Sequence, residues 1–283
     1  MKDQKKKRIF YYKDESNDDF MTAHPNVLNV NVDSKYNYMP NFILFKLFSF
    51  VFYYLIAIPL LSIANLFLFG VRVRGRKNLK GLWNKGYFIY ANHTNYKDAW
   101  LTPVSIAPFR RNYVIANKAA VEIPVINYLA KAGGALPVAD TMAGLKKMTQ
   151  TIDNIILKKK QIITIFPEAH IWPYYTKLRA FPLTSFKFPA KTKAPSIPVA
   201  VCYKKRAILG EYRKPKTVAY IGKPIFPLDK LTERQNAEYL RDKTFEFIKN
   251  TIEKESTYSY IEYVKVEQGE DTTSDLESEK EAI

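Results

Sequence analysis

The chain has 283 residues, room for one substantial domain or at most two. Hydrophobic residues make up 47% of it and aromatics 14%, which excludes a wholly disordered chain or a fibrous repeat. One cysteine excludes an internal disulfide framework, and with three histidines (His24, His93, His170) it cannot build an ordinary structural zinc site. The 44 Lys and Arg against 27 Asp and Glu leave +17, a charge suited to a polyanionic surface or substrate.

Residues 1–40 form a mostly polar arm that opens with Lys5, Lys6, Lys7 and Arg8 and lacks the apolar region and cleavage site of a secretory signal. Residues 41–71 read as a membrane-associating segment. The run from Leu47 to Val71 carries no charge, and as a helix it would measure about 37 Å against roughly 30 Å of hydrocarbon. Pro59, Ser62 and Asn65 interrupt it, so it is either one embedded helix or a two-helix hairpin that enters one leaflet and returns. Apolar side chains around the whole circumference argue against a core helix. Arg72, Arg74, Arg76 and Lys77 suit anionic headgroups and would hold the following domain on the cytoplasmic face. Lys46 and the Lys2–Arg8 region make the other flank basic too, which favours a re-entrant or in-plane segment.

Residues 72–256 alternate in type. β-branched and aromatic runs at Val71–Arg74, Tyr87–Ala91, Asn112–Ala116, Ala135–Val138, Ile162–Phe166, Ile197–Tyr203 and Val218–Ile221 give seven strands. Helical spacing places Leu145, Met148, Ile152, Ile155 and Ile156 on one face of Met142–Lys158, and Thr232 with Gln235 forms a capping box for a late helix. The expected fold is therefore α/β, a roughly seven-stranded mixed sheet flanked by helices. Residues 253–283 hold ten acids and three bases, leaving +24 on the rest, and 257–283 read as an acidic disordered tail.

Ligands of open α/β sheets sit beyond the carboxyl ends of strands, so the exits are the candidate site. Three of them carry chemistry: Asn92–Asp98, Pro167–His170 and Ala139–Thr141, and they are expected to converge. A histidine at a strand end with an aspartate five residues on can hold one ring nitrogen against a carboxylate and turn the other to substrate. An imidazole, with its ordinary pKa near about 6.5, then serves as a base. Cys202, within a strand and with no partner histidine evident, reads as structural rather than nucleophilic.

The order of these blocks resembles the PlsC-like glycerolipid acyltransferases. His93 and Asp98 match that family's His-x4-Asp block; Phe166, Pro167 and Glu168 match the start of its Phe-Pro-Glu-Gly-Thr-Arg block; and Pro195, Ile197, Pro198 and Val199 match its proline-rich block. The resemblance implies direct acyl transfer from acyl-CoA or acyl carrier protein, as co-substrate, to the hydroxyl of a lysophospholipid at a phospholipid membrane. No other cofactor, metal or nucleic acid is implied. His93 would take the hydroxyl proton, Asp98 would orient His93, and Glu168 would hold the headgroup or the geometry. Asn95 and His170 are further substrate-contact candidates, His170 with Trp172, Tyr174 and Tyr175 around it.

Two arginines of the family pattern are missing. Ala169, His170 and Ile171 stand where Gly-Thr-Arg is usual, and Pro137–Thr141 lacks the arginine of the second block. An anionic headgroup then needs other cations, for which Lys177 and Arg179 are the candidates, or the acceptor is not a phosphomonoester. An inactive lipid-binding relative and a membrane-anchored polyanion binder are the competing readings. A lipid hydrolase would need a Gly-x-Ser-x-Gly elbow, which is absent.

Overall fold

A computed structural model describes residues 8–20, 30–122, 126–207 and 213–266. The chain enters through β1 (Arg8–Tyr12), and a helical run of α1 (Ile43–Phe50) and α2 (Ile58–Ala64) follows, with π turns at Val51–Ala57 and Asn65–Phe69. The run is one helix, long and apolar enough over Ile43–Phe67 to cross a membrane, so the hairpin alternative does not occur. Pro59 lies directly after the first π turn, where the bonding register is already shifted and its missing N–H breaks no regular ladder. Gly70, left-handed at φ 60°, ends the helix.

All seven expected strands form and make one sheet. They are β2 (Arg72–Arg74), β3 (Tyr87–Ala91), β4 (Asn112–Ala116), β5 (Ala135–Pro137), β6 (Ile162–Ile165), β7 (Ser196–Lys204) and β8 (Lys216–Ile221), in the order β2-β8-β7-β3-β6-β4-β5. Neighbours pair in parallel except β7 with β8. β3 is buried on both faces, as a central parallel strand must be. Its alternate residues divide between two cores: Phe88 and Tyr90 pack with Met148 and Ile152 of α6 (Met142–Asp153) and Leu240 and Ile248 of α8 (Glu233–Glu255). Tyr87, Ile89 and Ala91 pack on the other face with Ile106 of α3 (Asp98–Ile106). Each such aliphatic side chain withdrawn from water is worth about 1.5–3 kcal/mol. The predicted capping box of Thr232 and Gln235 is present at the start of α8. Between α3 and α6 lie the short helices α4 (Ala119–Glu122) and α5 (Ile126–Gly133), and α7 (Lys187–Thr192) precedes β7.

The ends of the chain need correction. The arm expected to be polar is folded into the domain: Val32, Tyr36 and Tyr38 join the core beneath α6, and Val32 approaches so closely that a Cβ on Gly144 would stand 2.5 Å from its carbonyl oxygen. The tail does not begin at 257, because Ile261–Lys265 forms β9 and pairs in parallel with β1. The reason is aromatic: Phe10, Phe20, Tyr263 and Ile261 bury one another around Trp172. Lys5–Lys7, His24 and residues 267–283 lie outside the described residues.

Candidate active site

β3 leaves the sheet through a loop held by its own polar atoms. Asn92 is fully buried, and its side-chain amide donates to the Val201 carbonyl (3.0 Å) while its oxygen accepts the Val201 N–H (2.7 Å), which fastens the exit to β7. Thr94 Oγ1 lies 2.7 Å from Tyr203 OH, a second tie to the same strand. Asp98, the first residue of α3, closes the loop: its Oδ2 accepts the backbone N–H groups of Thr94 (2.7 Å) and Asn95 (2.8 Å). The same oxygen lies 3.3 Å from His93 Nδ1, with the His93 side chain 13% exposed and that of Asp98 1%.

Oδ2 already receives two N–H donors, so it acts toward the ring as an acceptor. A neutral ring therefore carries its proton on Nδ1, which leaves the lone pair on Nε2. The ring stacks on Phe166, centroids 4.3 Å apart, which fixes its plane. The structure thus brings His93, Asp98 and the exit of β6 together.

The β6 exit carries Glu168 on its turn. Glu168 is buried and its Oε2 accepts from Arg179 Nε at 2.8 Å. Burial pushes its carboxyl up to about 7; Arg179 opposes the shift and the His93 backbone amide acts in the same opposing sense. Arg179 is fully engaged in holding this loop: it donates to Glu15 O at 3.5 Å and to His170 O, and its guanidinium lies 5.0 Å from the Trp172 ring centroid. The expectation that Arg179 meets a headgroup is therefore corrected, since the side chain is sealed from solvent by the aromatic cluster around it.

Other expectations need the same treatment. His170 is turned toward the arm, with Nδ1 3.3 Å from Asp19 Oδ2. Trp172 and Tyr175 are core residues rather than pocket walls; Trp172 Nε1 donates to Asp18 O and Tyr175 OH to Glu15. The Ala139–Thr141 exit does not join the site. β5 lies three strands from β3, about 14 Å along the sheet, and Asp140 is occupied by the Val32 N–H and Lys118. Cys202 is buried in β7 and its thiol is pushed up to about 11 by that burial, which bears out its structural reading.

Beside Asp98 opens a cavity of about 310 Å³. Asn95, Lys97, Arg206, Arg213 and Lys214 line it, with Tyr174 and Tyr203 at its inner wall. His93 adjoins it through Asp98 rather than lining it. Burial lowers the Lys97 ammonium, Lys214 adds to the effect and Asp98 opposes it. Lys177 is exposed and lies outside this lining. Larger grooves of about 580 and 630 Å³ flank α8 but share no residue with the His93–Asp98 pair. The sequence reading missed Asn92, Thr94 and Phe166 as positioning residues, although Asn92 stands directly after a strand, where a buried amide can replace a ladder partner. It also missed Arg213 and Lys214, which the antiparallel return of β8 brings to the β3 exit.

The acyltransferase family model matches residues 70–202. Over those residues, just under half of the chain, the sequence is similar to an acyltransferase domain. No curated protein sequence matches the chain. Among solved structures, the 1-acyl-sn-glycerophosphate (LPA) acyltransferase PlsC from Thermotoga maritima shares the fold, with a TM-score of 0.50, 19% identity, and coverage of 74% of this chain and 92% of that one. The matched region begins where the apolar helix ends and includes both the His93 and Glu168 exits.

Proposed function

We propose that the chain transfers a fatty acyl group from a thioester, acyl-CoA or acyl carrier protein, to the hydroxyl of a lysophospholipid, with 1-acylglycerol-3-phosphate, giving phosphatidic acid, as the leading acceptor. The observation that carries this reading is the His93 ring: Nδ1 is held by Asp98, Nε2 is left with its lone pair, and a cation-lined cavity adjoins the pair. His93 Nε2 takes the acceptor's hydroxyl proton as the oxygen attacks the thioester carbonyl. The tetrahedral intermediate collapses with loss of thiolate, and His93 returns the proton to the sulfur. Asp98 keeps the tautomer and balances the imidazolium. Lys97, Arg213 and Lys214 meet the headgroup phosphate, standing in for the missing arginines.

The membrane reading follows from how the long helix is docked. Ser49 Oγ donates to Ala132 O, Tyr53 OH bridges Arg110 O and the Asn112 N–H, and Asn65 donates to Ser105 Oγ. From residue 49 to 65 is about 24 Å of helix tied to polar groups of the domain, most of the roughly 30 Å of a hydrocarbon core. This docking supports a helix that lies along the bilayer rather than across it. The helix lies in the interface with its exposed Leu47, Phe50, Leu55, Leu60, Leu66 and Phe67 in the acyl region.

The test is release of free thiol from acyl-CoA or acyl carrier protein thioester in the presence of lysophospholipid vesicles. His93→Ala is expected to lower the rate by about 10²–10⁴. Equal rates for the two proteins would sink the enzyme reading. Lys214→Gln is expected to raise the acceptor KM and leave the donor KM unchanged.

A further inference from the structure

A second cation-lined cavity lies at the opposite end of the strands from His93. Its volume is about 200 Å³, and its walls include Lys46, Arg111, Lys131, Lys159, Tyr38 and Tyr54. Arg111 directly precedes β4, Lys159 precedes β6 and Lys131 sits on α5 ahead of β5, so the cavity opens at the amino ends of the strands. His93 follows the carboxyl end of β3, about 16 Å away along a five-residue strand. The two cavities share no residue.

No aspartate or glutamate lines this cavity. Arg111 is buried, donates to Ser49 Oγ (3.1 Å) and Ala132 O, and lies 4.1 Å from the Tyr53 ring centroid and 5.3 Å from that of Tyr113. Lys131 Nζ stands 4.5 Å from the Tyr36 ring centroid. Among the described residues neither Lys46 nor Lys159 pairs with a carboxylate. Burial lowers the ammonium of Lys131; it also lowers that of Lys159, with Lys46 and Arg111 adding to the effect. Four cations gathered without an acid, with Lys46 and Lys159 exposed at the opening, make a positive site suited to an anion from outside.

The surroundings say which anion. Lys46, Ser49 and Phe50 belong to the apolar helix, and Ile43, Leu44, Leu47 and Phe50 are exposed beside the opening. The volume is below the roughly 300–1,000 Å³ of sites that enclose a whole small ligand. It holds a headgroup, while acyl chains continue along the exposed helix face. We propose that this cavity binds the phosphate of an anionic membrane phospholipid, as a docking site separate from the acceptor site. With the helix in the interface, one headgroup fixed at its amino end sets the rotation of the domain on the bilayer and so aims the His93 end at the same leaflet.

The test uses the full chain and flotation with two vesicle types, phosphatidylcholine alone and phosphatidylcholine with added phosphatidylglycerol. Lys46→Gln with Lys159→Gln is expected to weaken binding to the anionic vesicles by about tenfold or more and to leave binding to neutral vesicles unchanged. The charge-matched control Lys249→Gln with Lys254→Gln, on exposed α8 positions, is expected to lose less than about threefold. Lys46→Arg with Lys159→Arg is expected to retain the affinity, and both proteins should melt as the parent does. Equal loss in the two Gln pairs would reduce the effect to general surface charge and overturn the site. Unchanged binding of the Lys46/Lys159 pair would overturn it too.

Discussion

Ala169 holds a φ of 64°, the left-handed region in which a Cβ costs roughly 1–2 kcal/mol. The glycine that the family pattern places after the glutamate is therefore a backbone requirement, and this chain keeps the turn while forgoing the residue that relieves it. The turn aims Glu168 inward at Arg179. Burial makes the folded chain hold the Glu168 proton up to about pH 7, against 4.5 for the unexposed-to-protein carboxyl. Between those values the folded state binds more protons than the unfolded one, so this group's contribution to stability falls as pH rises through the window. Denaturant melts at about pH 5 and about pH 8 are expected to show that fall, and Glu168→Gln is expected to flatten it. A difference between the two proteins that does not change with pH would refute the assignment. His93 and Asp98 were readable because one loop carries both, so spacing alone sets their meeting. Arg179 was misread because its partners, Glu15 and Trp172, come from opposite halves of the chain.

At the level of elements, the strands were legible because each is a short run of branched or aromatic residues, and a central parallel strand needs little else. The connection between β7 and β8 carries Arg206, Arg213 and Lys214, yet nothing local marks that pair as antiparallel. The apolar helix was legible in length, and its basic flanks already favoured an in-plane segment; hidden in the sequence was that Ser49, Tyr53 and Asn65 find polar partners in α5, β4 and α3. Of the four basic residues after it, Arg76 turned inward, donating to Ser105 O at the carboxyl end of α3. The in-plane posture predicts that both flanks of the helix face one side. Single cysteines placed at Asn41 and Arg72, against the buried Cys202, are expected to react with an impermeant maleimide from the same side of sealed vesicles. Reaction from opposite sides would mean a span.

At the scale of the whole molecule, the two ends of the chain meet over the Glu168–Arg179 loop. Tyr263 stacks on Trp172 at 5.0 Å, and the Tyr263 OH donates to Pro173 O (2.8 Å). A chain that stops at Ser256 loses Ile261 and Tyr263 from that cluster. It is expected to be less stable by more than about 3 kcal/mol, with a red-shifted tryptophan emission, whereas a chain ending at Val266 keeps the parent's melt. Identical melts for both truncations would show that β9 is dispensable. This closure was illegible in the sequence because polar composition at each end conceals a few aromatic residues that bury only one another.

The parallel pairing of β1 with β9 also orders events in time. Arg8–Tyr12 is made about 250 residues ahead of Ile261–Lys265 and has no strand to meet until that segment is free. The apolar helix emerges long before that. A newborn chain accordingly completes its apolar helix well before β9 can close the aromatic cluster over the Glu168–Arg179 loop.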